Sequence, residues 1–188
     1  MVFDAVFHLH TVQGVAHGDI KPDNIMFTDA KGLALIDFGH AEHLGTVLKH
    51  KVGSPSYQAP EVLLRRPNYV IDQADIYALG CTLFTVLFLD FPLGKKFDKN
   101  DFYFLHDEED TKQRFFEEHY GYFPEGKERH PQEALDLIFD CLCPYPEDRP
   151  TRDAIRHNPW IMNAPQLDQE LIDEITAIMS LAPHPDFA

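Results

Sequence analysis

Residues 17–39, HGDIKPDNIMFTDAKGLALIDFG, contain two acidic clusters joined by two short apolar runs, Ile25-Met26-Phe27 and Leu33-Ala34-Leu35-Ile36. Thr28-Asp29-Ala30-Lys31-Gly32 lies between the runs. Short apolar runs around an Asp/Gly-containing turn predict a small β-hairpin. Its outer ends then meet, bringing Asp19, Lys21 and Asn24 near Asp37. Two carboxylates, a carboxamide and an ammonium group in one cleft suit Mg²⁺ together with phosphate. Magnesium takes a few hard oxygen ligands from protein and the rest from water and phosphate, while lysine neutralises phosphoryl charge.

The same stretch resembles the catalytic loop and metal loop of protein kinases, whose signatures are H-R-D-L-x-x-x-N and D-F-G. The roles that follow are what this resemblance implies, and they match the general template for phosphoryl transfer in that family. Asp19 accepts the proton of the substrate hydroxyl. Asn24 and Asp37 hold the metal ions. Lys21 steadies the γ-phosphate, as a lysine does in Ser/Thr-type kinases, and Met26 lies under the adenine ring. His17 and Phe38 are packed structural residues. One position departs from the pattern, with Gly18 standing where an arginine is usual.

C-terminal to this stretch, residues 40–58 contain few apolar side chains and read as a surface loop. His40 and His43 lack the further ligands that a metal site needs. Next comes Gly53-Ser54-Pro55-Ser56-Tyr57-Gln58-Ala59-Pro60-Glu61, which resembles the end of a kinase activation segment. The resemblance puts Ser54 against Asp19 and Lys21 and makes Ala59-Pro60-Glu61 the anchor of the substrate loop. Thr46, Ser54, Ser56 and Tyr57 are phosphorylatable. With Gly18 in place of arginine, a phosphate here loses its usual charged receptor. Little dependence on activation-loop phosphorylation is therefore expected, and phosphatase treatment checks it.

Residues 72–89 are apolar nearly all round and predict a helix buried on every side. A carboxylate beside such a helix needs partners. The resemblance gives Asp75, in Asp-Ile-Tyr-Ala-Leu-Gly, the task of tying down the catalytic-loop backbone. Pro-Glu-Asp-Arg-Pro-Thr at 146–151 is a further kinase-like signature, and it pairs Arg149 with Glu61. Between these lie a segment mixing aromatics and charges, Phe91 to Glu128, read as packing or protein docking, and a helix over 131–142. N-terminal to His17, residues 2–12 predict an amphipathic helix with Val2, Val6 and Leu9 inward, and Phe3 and Val12 less regularly so. Gly14 ends it. At the far end, Leu167, Leu171, Ile175, Ile178 and Met179 form one face of a helix, read as packing on its own domain, with a frayed tail after it.

Composition narrows the partners. Lys+Arg 16 against Asp+Glu 31 gives a formal charge of −15 over 188 residues. That balance argues against nucleic acid or an anionic membrane as the main partner. A solvated acidic surface is its commoner meaning, and it mildly favours basic proteins; the protein substrate is what the resemblance implies. The apolar run Ile76 to Leu89 is too short to span a bilayer. No signal peptide is evident. Three cysteines, Cys81, Cys141 and Cys143, make no disulfide framework, which fits a cytoplasmic or nuclear location. Core packing outranks zinc for Cys141-Leu142-Cys143.

The expected fold is mainly α: a kinase-like C-terminal (large) lobe over residues 1–162, with the hairpin carrying the catalytic and metal loops. Residues 163–188 form an appended amphipathic helix and tail. The expected chemistry is transfer of the ATP γ-phosphate to Ser/Thr of a protein, with ATP and Mg²⁺ as cofactors. Small-molecule kinases of the aminoglycoside and choline type share H-G-D, asparagine and an acidic metal loop. They lack the Ala-Pro-Glu segment and its arginine, and so rank lower. No Gly-rich phosphate loop precedes residue 17, and no V-A-I-K-type lysine or partner glutamate is available. Each lost charge-stabilising group costs about 2.7–4 kcal/mol in the transition state. The isolated chain is therefore expected to be nearly inactive. Three situations fit: a portion of a longer Ser/Thr kinase, a pseudokinase serving as an interaction module, or an enzyme completed by a partner that supplies the small lobe.

Overall fold

The computed structural model describes residues 2–28, 32–48, 52–64, 69–92, 115–117 and 130–164. Helix α1 (Val2–His8) runs into a π-type turn over Leu9–Gln13, and Gly14 closes it with a left-handed backbone. Four residues separated by three and four, Phe3, Val6, Phe7 and His10, form the buried stripe. Val12, expected inward, is exposed. A π-type turn adds a residue to the local repeat and so re-aims the side chains that follow it. Here it leaves Val12 in solvent, while His10 stays on the α1 stripe, seven residues after Phe3.

Strand β1 (Val15–Ala16) follows and pairs antiparallel with β4 (Glu42–His43). The hairpin forms between β2 (Ile25–Thr28) and β3 (Gly32–Leu35), with Ile25 opposite Leu35 and Met26 opposite Ala34. Its turn, 29–31, lies outside the described residues. A third two-stranded ladder joins β5 (Val47–Leu48) to β6 (Tyr69–Val70). The segment after Asp37 is thus fastened twice by backbone, first beside the residues that lead into the 17–24 loop and then beside those that lead into the long helix at 71–88.

Helix α2 (Pro60–Leu63) is a single turn, with proline at its first position, where the missing N–H costs nothing. Helix α3 (Ile71–Phe88) runs through the core of the described residues, and most of its own residues are buried. Its length and hydropathy would allow it to cross a membrane, but 72% of it is buried inside the protein. Helix α4 (Gln132–Cys141) packs along it. Phe84 and Phe88 stack at 4.5 Å, and Phe115, Phe116 and Phe139 complete an aromatic cluster between these helices. The rest of the aromatic segment, including Phe102, Tyr103, Phe104, Tyr120, Tyr122 and Phe123, lies outside the described residues.

Two short helices close the described chain. In α5 (Arg152–Arg156) the Thr151 hydroxyl caps the N-terminus by accepting from the Ala154 N–H. In α6 (Pro159–Met162) the Asn158 side chain does the same for Trp160 N–H. Trp160 is partly buried against the core. All three cysteines are free and buried. Burial pushes each thiol up, so they are inert packing groups. The amphipathic segment at 166–181 lies outside the described residues.

Candidate active site

The catalytic loop is held from below by one buried carboxylate. Asp75, one turn into α3, accepts the His17 N–H at 2.7 Å on Oδ2 and the Gly18 N–H at 2.8 Å on Oδ1. His10 adds a third bond, donating from Nε2 to Asp75 Oδ2 at 2.8 Å. Nothing in the sequence reading singled out His10. The available signal was its position seven residues after Phe3, on the stripe that α1 buries. His17 is fully buried and donates from Nε2 to the Ile36 carbonyl at 2.9 Å, while its Nδ1 accepts the Asp19 N–H at 3.3 Å. That histidine therefore links the loop to the far end of β3 through two backbone groups.

Asp19, Lys21, Asn24 and Ser54 come together directly. The Ser54 N–H donates to Asp19 Oδ1 at 2.6 Å, and the Lys21 ammonium lies 3.0 Å from Asp19 Oδ2. Asn24 Nδ2 donates to Asp19 Oδ2 at 3.1 Å and to the Asp19 carbonyl at 2.8 Å. Lys21 Nζ also donates to Ser54 Oγ at 2.7 Å. Burial alone raises the Asp19 pKa, but the bonds from Lys21 and Ser54 and the lysine charge outweigh it and hold the carboxyl below its ordinary range. Gln58, also missed at the sequence level, binds the Val52 and Gly53 carbonyls at 2.9 and 2.7 Å. It thereby fixes the strap that delivers Ser54.

Asp37 sits differently. The Ile36 N–H donates to the Asn24 carbonyl at 3.0 Å, so the strand end is next to the asparagine. The Asp37 side chain itself is exposed and makes no bond to Asp19, Lys21 or Asn24. It accepts the Gly39 N–H at 3.1 Å and adopts a left-handed backbone, φ 60°. Non-glycine residues in that region carry strain and recur at functional sites. Phe38 tilts over the His17 ring at 5.0 Å and is nonetheless 49% exposed, as Met26 is at 48%.

The donor set fits magnesium with phosphate. Asn24 commits its NH₂ to Asp19, which turns its amide oxygen the other way, and Asp37 offers an exposed carboxylate. Among the described residues, no three of His, Cys, Asp and Glu group as an all-protein metal cage. Magnesium bound to phosphate needs only one or two protein oxygens.

Farther out, Arg149 and Glu61 form a buried two-pronged pair, with Nη1 to Oε1 at 2.6 Å and Nη2 to Oε2 at 2.7 Å. Nε donates to the Cys143 carbonyl at 2.8 Å, and Nη1 also donates to the Gln73 carbonyl at 2.8 Å. The planar fork makes this geometry specific to arginine.

With the loops in place, comparison with known proteins is direct. The profile of the protein kinase domain matches residues 1–161. The chain belongs to the protein kinase domain family. Serine/threonine-protein kinase CHK1 of Saccharomyces cerevisiae is 33% identical over 165 residues, which is 84% of this chain and 29% of that protein. The calcium/calmodulin-dependent protein kinase cmkA of Emericella nidulans is 30% identical over 185 residues, 95% of this chain and 42% of the relative. A PAS domain-containing serine/threonine-protein kinase of Mus musculus is 30% identical over 178 residues, covering 91% and 11%. The kinase-domain chain thus spans well under half the length of these curated relatives.

Proposed function

We propose that this chain is the substrate-side lobe of a Ser/Thr protein kinase, transferring the ATP γ-phosphate to a protein hydroxyl. The observation that carries the reading is the direct bonding of Asp19, Lys21, Asn24 and Ser54 above the Asp75 clamp. In this reading Asp19 orients the attacking hydroxyl and accepts its proton. Its lowered pKa makes it a weak base, which suits a reaction in which positioning counts for more than proton removal. Lys21, held between Asp19 and Ser54, meets the transferring phosphoryl group, and Asn24 and Asp37 are the metal ligands. The bound Mg²⁺ supplies neutralisation of charge on the phosphate oxygens. His17, Phe38, Asp75, Glu61 and Arg149 keep the site in shape.

The exposed Met26, Ile36 and Phe38 belong to the face that the nucleotide meets in this reading, and a small lobe completes it from above. That lobe comes from the same polypeptide or from a partner, and without it the 188-residue chain transfers phosphate poorly. The small-molecule-kinase reading is weaker, because the 52–61 strap and its buried Glu61–Arg149 anchor serve a protein substrate platform. An interaction module or pseudokinase keeps the same fold and loses the nucleotide response.

A melting experiment with millimolar Mg²⁺-ATP separates these. Ligand at about 100 times its Kd adds roughly 2.7 kcal/mol by mass action. A rise in Tm for the wild type that Asp37→Asn abolishes is the expected result. A wild-type curve unmoved by Mg²⁺-ATP overturns the nucleotide site. Asp19-dependent phosphorylation of a generic substrate by the purified chain alone overturns the claim that a small lobe is needed.

A further inference from the structure

Gly18 stands where the family usually carries arginine, which on sequence alone is simply a missing charge. Its surroundings give the position a different meaning. The backbone is left-handed, φ 78°, and two walls enclose the α-carbon. A Cβ there would overlap the His40 carbonyl oxygen and approach Ile71 Cδ1 at 3.2 Å. From below, Asp75 grips the Gly18 N–H. Gly18 therefore cannot retreat toward α3, and any side chain must push on His40.

That push has a defined destination. His40 lies in the Phe38–Ala41 turn, closed by the Ala41 N–H donating to the Phe38 carbonyl at 3.1 Å. Asp37 is tied to the same turn through Gly39 N–H. The far end of the turn is fastened by the β1–β4 ladder, which pairs Ala16 with Glu42. The bare α-carbon of Gly18 thus sets how closely the loop bearing Asp37 can lie on the loop bearing Asp19.

We propose that Gly18 is a positioning residue: its lack of a side chain seats the Phe38–Ala41 turn, and through it Asp37, against the catalytic loop. Restoring the family arginine at this site displaces the metal loop and does not repair a defect. The close approach stands on geometry alone, while its consequence for metal binding rests on the kinase reading above.

The experiment separates conformational strain from overlap. Gly45 also has a left-handed backbone, φ 75°, but a Cβ there meets nothing within 4 Å. Gly18→Ala and Gly45→Ala therefore share the strain of a left-handed alanine and differ in the overlap. Amide exchange is followed by NMR at Gly39 and Ala41 without nucleotide. Gly18→Ala is expected to lose about tenfold or more of their protection, against no more than about threefold for Gly45→Ala. The double variant Gly18→Ala/His40→Gly, whose looser turn can move its carbonyl aside, should recover most of the loss in a second Asp37-dependent readout, the Mg²⁺-ATP melting shift. Gly18→Arg should show a smaller shift than wild type.

Equal losses in the two single variants, or a Gly18→Arg protein with a larger Mg²⁺-ATP shift than wild type, overturn the proposal. If Gly18→Ala does not fold, the double variant decides: folding supports the overlap and failure to fold overturns it. A wild type without any nucleotide shift discards the kinase reading but leaves the exchange comparison to judge Gly18.

Discussion

The loop carrying Asp19 and the loop carrying Asp37, the two walls of the proposed site, are built by different means. The wall carrying Asp19 is buried and over-determined, with each carboxylate oxygen bonded and the loop beneath gripped by a carboxylate that is itself 1% exposed. The wall carrying Asp37 is a hairpin end with exposed Met26, Ile36 and Phe38, and its aspartate is held by a single bond to its own turn. Buried charges that keep all their partners rigidify a site, whereas groups left in solvent keep their freedom. In the kinase reading proposed above, the acceptor side is thus preorganised by the described residues themselves, and the nucleotide side is left open. Four predictions break or sharpen that contrast.

The largest effect is expected at the anchor of the buried wall. Arg149→Met leaves the Glu61 carboxylate buried without its partner, which should lower stability by about 3–5 kcal/mol in urea unfolding. Pairing it with Glu61→Leu should recover most of that loss, because removing both charges is far cheaper than removing one. A double variant no better than the single would mean that the pair matters for more than charge balance.

Next comes the clamp. Asp75→Ala orphans the N–H groups of His17 and Gly18, each worth roughly 1–3 kcal/mol when buried without an acceptor. Because the two share one site, about 2–4 kcal/mol in total is expected. Asp75→Asn should rescue little, since its one oxygen cannot replace two and its NH₂ must face an N–H donor.

A smaller effect, read as a direction, is expected inside the site. Lys21→Met removes the ammonium and one hydrogen bond from Asp19, so the Asp19 pKa should rise toward the ordinary carboxylate value in a carboxyl-carbon NMR titration. The sign for stability follows from linkage. A depressed folded pKa contributes stability that is fully present above the unfolded pKa and is lost as pH falls through the folded one. Wild type should therefore lose this contribution only in acid, and Lys21→Met should flatten that part of the pH profile.

The same contrast explains what was legible in the sequence. The buried wall is written in local signals with unambiguous physics. A long run apolar nearly all round reads as a buried helix, and a carboxylate at its head needs partners, so α3 could be read directly and the task of Asp75 through the family motif. Arg149 and Glu61 were legible through their flanking motifs, although 88 residues separate them. What escaped were polar residues at apolar positions and pairings too short to leave a pattern. His10 lies on the buried stripe of α1, but a polar side chain at an apolar position does not announce its partner, Asp75. Gln58 acts through two carbonyls that no side-chain pattern encodes. The two-residue ladders β1–β4 and β5–β6 carry no alternation to detect, because register needs several residues on each face. Gly18 was legible as a departure, but the carbonyl seated on it was not.

The smallest effect is expected on the open wall, and it tests whether that wall is open at all. Met26 points out from β2 opposite Ala34, so its thioether should contribute almost nothing to the free energy of this chain alone. Met26→Gln should change stability by no more than about 0.5 kcal/mol, the usual range for exposed sites. A loss above about 1.5 kcal/mol would require its side chain to be covered in solution, since burying a large apolar side chain is worth about that much or more. The chain would then cover the proposed nucleotide face itself, and the difference between the two walls would vanish. With a small effect on stability, any larger effect of the same substitution on the Mg²⁺-ATP melting shift must come from the ligand's side, because the free protein has nothing there to lose.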